Sequence, residues 1–130
     1  MGFNQGLVQN FGQSKTNLYH FELGIPKTAK TKIGNIPLKY SNHAKNAAQD
    51  DRNGQITLPV RLDTNSAQVI EVEMCGTETV KVVYRVPYNK DFDLVLVVMP
   101  RDGFTKTVWL NSNKDLHKTL QAHRYSKITG

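Results

Sequence analysis

The densest group of side chains able to transfer protons and bind anions lies near the C-terminal end of the sequence. Its members follow one another within nine positions: His117, Lys118, Thr119, His123, Arg124 and Tyr125. Imidazoles titrate near neutral pH, whereas lysine, arginine and tyrosine side chains can hold a phosphate or stack on a base. This concentration predicts a site for acid–base chemistry on an anionic substrate. The competing interpretation is a solvated basic segment without a site.

His43 is a second candidate for proton transfer, because it falls in the first turn of the clearest predicted helix. Free backbone N–H groups at a helix start favour phosphate and disfavour a charged imidazole. A neutral His43 could serve as a general base, and the alternative is a histidine that caps or packs beside the helix. Arg52 is a candidate for substrate binding, although nine positions put it roughly half a turn out of phase with His43. The alternative role of Arg52 is a salt bridge.

The helix that positions His43 is predicted to start at a cap, Ser41 or Asn42, and to end at Asn53-Gly54. Its apolar positions recur at helical spacing and are all alanines: Ala44, Ala47 and Ala48. Because so small an apolar face needs a flat partner, we expect the helix to pack against a sheet.

Period-two alternation predicts strands after the helix, with Ile70, Val72 and Met74 on one face of their strand and two glutamates on the other. The predicted strands cover residues 56–62 (an edge strand, because of Pro59), 70–74, 80–86, 94–99 and 105–110. The continuously apolar run at 94–99 indicates an interior strand. We therefore predict an α+β fold, in which a short N-terminal helix packs on a four- to five-stranded antiparallel sheet and a polar C-terminal segment follows. Residues 1–17 are predicted to be a mobile arm and residues 18–130 a single domain.

Two cations of the predicted sheet, Lys81 and Arg85, alternate with apolar residues and are candidate phosphate contacts, together with Lys118 and Arg124. Trp109 is the only tryptophan, and core or rim packing is favoured for it over a role as a platform for a base.

The chain of 130 residues carries a formal charge of +6, which favours RNA or another polyanion as a partner. It has no long apolar run, no secretory signal pattern and a single cysteine, Cys75, which together predict a reducing, cytoplasmic location and no membrane contact. The sequence lacks HExxH and paired CxxC motifs, a Walker loop, a dinucleotide fingerprint and a GxSxG elbow. We therefore predict no metal and no cofactor.

The helix pattern NHAxxAAxxDRxG, the following antiparallel meander and the late H-K-T and R-Y residues resemble the barnase–EndoU–colicin–RelE (BECR) group over residues 41–125. This group consists of small, metal-independent nucleases, often encoded by phages or acting as toxins. The resemblance implies RNA cleavage by attack of a ribose 2′-OH on the neighbouring phosphate. In this chain His43 and His117 would match the acid–base pair, Thr119 and Tyr125 the late hydroxyl residues, and Lys118 or Arg124 the cation. The chain differs from the members of this group in two respects. Arg52 is out of phase with His43 on an ideal helix, and no glutamate is firmly placed to act as a base.

Three functional hypotheses follow. The first is a small basic ribonuclease that acts without a metal, with His43 and His117 as base and acid. The second is a non-catalytic, phage-type binding protein that docks on a host protein or on nucleic acid, in the host cytoplasm. The third is a virion or assembly component whose N-terminal arm orders on a partner.

Overall fold

The computed structural model describes residues 15–115 and 122–128. Within these ranges the chain forms one α-helix, α1 (Asn42–Gln49), and a 3-10 helix, Ala122–Arg124. Its strands, in chain order, are β1 (Asn17–His20), β2 (Asn35–Pro37), β3 (Lys39–Tyr40), β4 (Arg61–Asp63), β5 (Gln68–Cys75), β6 (Glu78–Pro87), β7 (Phe92–Met99) and β8 (Phe104–Ser112).

The main sheet has six strands in the order β1-β5-β6-β7-β8-β3, and a separate pair joins β2 to β4. Every pairing is antiparallel except that of β3 with β8, which is parallel. The α+β class and the mostly antiparallel sheet are confirmed. The predicted strand number is wrong, because the short strands β1 and β3 extend the meander at both edges. The predicted N-terminal position of the helix is also wrong, since three strands precede α1.

The interior position of β7 agrees with its continuous apolar run. This strand lies between β6 and β8, and Val95, Leu96 and Val98 are fully buried. Helix α1 lies against β8 and β3 and buries Ala44 and Ala48. The alanine side chains let the helix approach the sheet closely, as predicted.

Helix α1 begins at the predicted cap but ends earlier than predicted. The Ser41 hydroxyl accepts a hydrogen bond of 2.9 Å from the Ala44 N–H, as an N-cap does. The helix ends at Gln49 rather than at Asn53-Gly54, and the chain then turns. The carboxylate of Asp51 holds this turn by accepting hydrogen bonds from the backbone N–H groups of Asn53 and Leu110.

Residues 56–60 are not a strand, although their alternation predicted one, and only residues 61–63 pair, as β4. Ile56 instead donates its N–H to the carbonyl of Ala48 beyond the helix end. Pro59 has no N–H to offer a neighbouring strand, and the side chain of Val60 is 79% exposed.

A β-bulge in β5 changes the predicted facing of Ile70. Val69 pairs with Tyr84 and Glu71 pairs with Val83, so Ile70 is an extra residue on β5. Its side chain packs with Val83 and Val95, on the opposite side of the sheet from Val72 and Met74. The prediction that Ile70 shares a face with those two residues is therefore wrong, because a bulge interrupts strict alternation.

The two faces of the sheet differ in character. The first face carries the larger core cluster, which includes Val72, Val82, Leu96 and Val108 and lies under α1. The second face, which we call the polar face, mixes a small apolar cluster with ionisable side chains. Its apolar members are Ile70, Val83, Val95, Val97 and Trp109, and its ionisable members are Glu71, Glu73, Lys81, Arg85 and Asp93. Of the helices in the described ranges, none has the length and apolar character to cross a membrane.

Candidate functional site on the polar face

A cleft of about 300 Å³ opens on the polar face where the C-terminal segment crosses the sheet. Its polar and aromatic lining consists of His20, Glu71, Lys81, Trp109, Arg124 and Tyr125. We call it the tyrosine cleft. It brings together residues from β1, β5, β6 and β8 with Arg124 of the 3-10 helix and Tyr125 directly after it, which are far apart in the sequence.

Glu71 is the centre of this cleft. Its Oε1 accepts a hydrogen bond of 2.7 Å from the Tyr125 hydroxyl, and its Oε2 lies 3.2 Å from the ammonium nitrogen of Lys81. The same ammonium lies 3.5 Å from Glu73 Oε1. The bulge at Ile70 directs Glu71 onto the polar face, opposite Val83 of β6 and His20 of β1. The carboxylate is thus held between a hydroxyl and a cation.

Tyr125 reaches Glu71 because the C-terminal segment is hydrogen-bonded to β1. The N–H of Ser126 donates to the carbonyl of Leu18 at 2.7 Å, and the Ser126 hydroxyl lies 3.2 Å from Asn17 Oδ1. Burial is the main cause that raises the pKa of Tyr125 to about 12, and the bond to Glu71 adds to it. The phenol therefore stays protonated at neutral pH and acts as a hydrogen-bond donor.

His20 contributes a buried imidazole to the cleft, and its side chain is only 2% exposed. The ring stands edge-on to Tyr125, with 5.1 Å between the ring centroids. Its Nδ1 accepts a hydrogen bond from the Glu22 N–H at 3.1 Å. Because Nδ1 is an acceptor, the neutral ring carries its proton on Nε2.

Arg124 supplies an exposed cation at the rim of the tyrosine cleft. Its guanidinium carbon lies 5.6 Å from the centroid of the Tyr125 ring, within the range of a cation–π contact. His123 is exposed in the 3-10 helix beside it.

A second cleft, of about 440 Å³, adjoins the first on the same face. Its lining includes His43, Lys81, Val97, Phe104, Lys106 and Thr107. We call it the lysine cleft. Lys81 and Val97 line both clefts, so the two form one continuous depression across β6 and β7.

The sequence-predicted residues are only partly brought together. Tyr125, Arg124 and Lys81 line the tyrosine cleft, while His43 is exposed and lines the lysine cleft. Arg52 is exposed in the turn after α1 and lines neither cleft. Three further predicted site residues lie outside the described residues: His117, Lys118 and Thr119.

Arg85 faces the polar side but is not available to a ligand. It is 5% exposed, its Nε lies 2.7 Å from Asp93 Oδ2, and its Nη2 donates to the carbonyl of Ser112 at 3.0 Å. These contacts give Arg85 a structural role, in contrast to the phosphate contact expected from its alternation on β6.

Sequence reasoning did not single out His20, Glu71, Lys106 or Trp109 as parts of a site. The sequence did contain a signal for Glu71. Glu71 and Glu73 face outward on one predicted strand, and the next predicted strand carries the outward-facing Lys81. His20 had no such signal, because only the fold places it beside Tyr125. Within the described ranges, no cluster of three or more His, Cys, Asp or Glu residues could hold a metal ion.

The chain matches no protein-family model, and comparison with curated proteins and with solved structures gives no significant match.

Proposed function

We propose that this protein cleaves RNA phosphodiesters without a metal ion and that the reaction takes place in the tyrosine cleft. The observation that carries the proposal is the position of Glu71 between the Tyr125 hydroxyl and the Lys81 ammonium, in a cleft that Arg124 borders. Cleavage by an internal nucleophile requires a base, groups that stabilise the charge on the phosphate, and an acid for the leaving oxygen. The carboxylate can act as the base, and the two cations and the hydroxyl donor can stabilise the charge.

The proposed reaction is attack of a ribose 2′-oxygen on the adjacent phosphorus. Glu71 takes the proton of the 2′-OH as the new O–P bond forms, and the bond from phosphorus to the 5′-oxygen breaks. Lys81 and Arg124 stabilise the negative charge that builds on the phosphate oxygens. The leaving 5′-oxygen takes a proton from a histidine, and the product is a 2′,3′-cyclic phosphate.

Two assignments of the base compete in this reaction. The sequence assigned base and acid to His43 and His117, whereas the cleft geometry favours Glu71 as the base. With Glu71 as base, either histidine remains for the role of acid. His43 lines the lysine cleft together with Lys81. His117 is the residue that the sequence predicted as the acid.

RNA binding without cleavage is the second candidate function. It is favoured by the contacts of Glu71, since both of its oxygens are engaged, one by Tyr125 and one by Lys81. Protonation of Glu71 would remove the negative charge that pairs with Lys81, whereas a binding surface has no such cost. Phage origin, a cytoplasmic location and a host protein partner remain predictions from the sequence.

The test is cleavage of end-labelled single-stranded RNA in the presence of EDTA. General acid–base catalysis contributes about 10²- to 10⁴-fold, so Glu71→Gln is expected to lower the rate by at least about 10²-fold while RNA binding persists. Glu73→Gln is the matched control, because Glu73 also contacts Lys81 but does not line the tyrosine cleft. Its effect on the rate should be much smaller.

His43→Ala and His117→Ala complete the set and separate the two assignments. If Glu71 is the base, only the histidine that serves as acid should match the loss seen with Glu71→Gln. If both histidine variants lose cleavage and Glu71→Gln does not, the base is a histidine. Absence of cleavage by the wild-type protein, with RNA binding retained, would favour the binding function instead.

A further inference from the structure

The lysine cleft differs from the tyrosine cleft in its charge. It is lined by His43, Lys81 and Lys106, and none of the described residues that line it is acidic. Lys106 is exposed, and its ammonium takes part in none of the ion pairs between described residues, although its charge acts on the Glu73 carboxylate at longer range. This cleft can therefore accept an anion without first releasing an internal carboxylate from Lys106.

A β-bulge directs Lys106 into this cleft. Val97 of β7 pairs with Thr107 and Val98 pairs with Thr105, so Lys106 is the extra residue on β8. Strict alternation would send neighbouring side chains to opposite faces, yet Lys106 and Thr107 both line the cleft. The same kind of bulge directs Glu71 into the tyrosine cleft. Bulges often re-aim side chains beside functional sites.

Although the two clefts adjoin, Glu71 and Lys106 are too far apart across the sheet to hold the same phosphate. Glu71 is on β5 and Lys106 is on β8, which are separated by three strand spacings in the sheet. At about 4.7–4.9 Å per spacing, the two strands are about 14 Å apart. A phosphate held beside Glu71 therefore leaves the lysine cleft open to another nucleotide of the same chain.

Aromatic rings on this depression indicate which form of RNA fits it. Phe104 lines the lysine cleft and Trp109 lines the tyrosine cleft, and both rings are half-buried. Unpaired bases can stack on such rings, whereas the bases of a duplex are already stacked and paired.

We propose that the lysine cleft is a second nucleotide subsite, in which Lys106 binds a phosphate of single-stranded RNA next to the nucleotide that is cut. This inference rests on the proposed cleavage in the tyrosine cleft. It implies that the preferred substrate is longer than a dinucleotide and crosses β6 and β7.

The experiment compares kcat/KM for a diribonucleotide with that for a single-stranded hexaribonucleotide, using wild type, Lys106→Ala and Lys45→Ala. Lys45 is the matched control, since it is an exposed lysine on α1 that lines neither cleft. Hydrogen bonds to charged groups have a strength that corresponds to about tenfold or more in affinity. Lys106→Ala should therefore lower kcat/KM for the hexanucleotide at least about tenfold and leave the dinucleotide unaffected. Lys45→Ala should change neither.

If Lys106→Ala lowers kcat/KM equally for both substrates, or for neither, the subsite proposal is overturned. Cleavage by the wild-type protein would still support the proposed function in that case. Binding provides a readout that does not depend on cleavage. Fluorescence anisotropy with a 2′-deoxy hexanucleotide, which lacks the attacking hydroxyl, should show weaker binding for Lys106→Ala than for Lys45→Ala. If wild type cuts no RNA, the proposed function fails, and this binding comparison alone decides for or against the subsite.

Discussion

The Tyr125 hydroxyl donates a hydrogen bond of 2.7 Å to Glu71 Oε1, and the two residues are 54 positions apart in the sequence. This bond connects the C-terminal segment to β5, the second strand from one edge of the sheet. It also fixes the orientation of the carboxylate that we propose as the base.

Tyr125→Phe should therefore affect both stability and activity. Loss of one hydrogen bond to a charged acceptor in a half-buried position is expected to lower the free energy of unfolding by about 1.5 kcal/mol, measured by urea denaturation. Tyr19→Phe is the control, because the Tyr19 hydroxyl has no hydrogen-bond partner among the described residues. Equal effects of the two variants would contradict a specific role for the bond.

The free energy of unfolding should also fall less steeply with rising alkaline pH in Tyr125→Phe than in wild type. The pKa of Tyr125 is about 12 in the folded chain and about 10 in an unfolded chain. Its contribution to stability is thus complete below pH 10 and is lost as pH rises toward 12. Burial also raises the pKa values of Tyr40 and Tyr84 to about 12, and these two residues still contribute to the pH dependence of stability in the variant. Urea titrations between pH 9 and 12 should show a shallower decline for Tyr125→Phe than for wild type.

Lys81→Met should destabilise the protein at neutral pH, because it leaves Glu71 and Glu73 without their shared cation. The pKa of Glu73 is lowered chiefly by a hydrogen bond from Thr16 and also by the charges of Lys81 and Lys106, against burial. A carboxyl group whose pKa is lower in the folded chain than in the unfolded chain stabilises the fold at pH values above its unfolded pKa. That stabilisation is lost as the pH falls through the folded-state pKa. The gap in unfolding free energy between wild type and Lys81→Met should therefore close at acid pH. A gap that stays constant with pH would argue against the charge effect.

Arg85→Met should be among the more destabilising single changes on the polar face. Removing one partner of a buried ion pair leaves the other charge uncompensated and typically costs about 3 kcal/mol or more. The double variant Arg85→Met with Asp93→Leu removes both charges and is expected to recover much of the loss. Urea denaturation of the two single variants and the double variant checks this. If the double variant is as unstable as the sum of the singles, Arg85 and Asp93 do not stabilise the fold as a pair.

RNA binding should weaken steeply with salt, because the chain carries a formal charge of +6. Arg124→Ala is expected to reduce the slope of log affinity against log salt by about one, as for a lost phosphate contact. Arg52→Ala is a matched control, since Arg52 is exposed but lines neither cleft. Anisotropy titrations at several salt concentrations measure both slopes. A reduced slope for Arg52→Ala and not for Arg124→Ala would place the contact surface on the helix side.

The sequence predicted the parts of the fold that depend on local pattern. Alternation identified β5 to β8, the unbroken apolar run identified β7 as interior, and the serine before the alanine series identified the start of α1. It could not locate the bulges at Ile70 and Lys106, because each depends on how two strands are aligned.

The site was predictable only where residue type was sufficient. Arg124 and Tyr125 stood out from their chemistry, and Lys81 from its alternation. Glu71 and His20 become part of the site because both contact Tyr125, which is far from them in the sequence. No local sequence pattern encodes such a contact. The same limit explains Arg85, whose type suggested a ligand contact and whose neighbours across the sheet make it a structural ion pair.

The hydrogen bonds from Ser126 to Leu18 and Asn17 have a consequence for biosynthesis. The Ser126 and Asn17 side chains that meet are separated by 109 positions. A ribosome adds residues in order and encloses the most recently added ones in its exit tunnel, so Glu71 and Lys81 reach solution before Arg124 and Tyr125. During that interval the emerging chain has the carboxylate and the ammonium but lacks the phenol and the guanidinium. If the protein is a ribonuclease, its cleft is therefore completed only after the C-terminal segment has left the tunnel and bound β1.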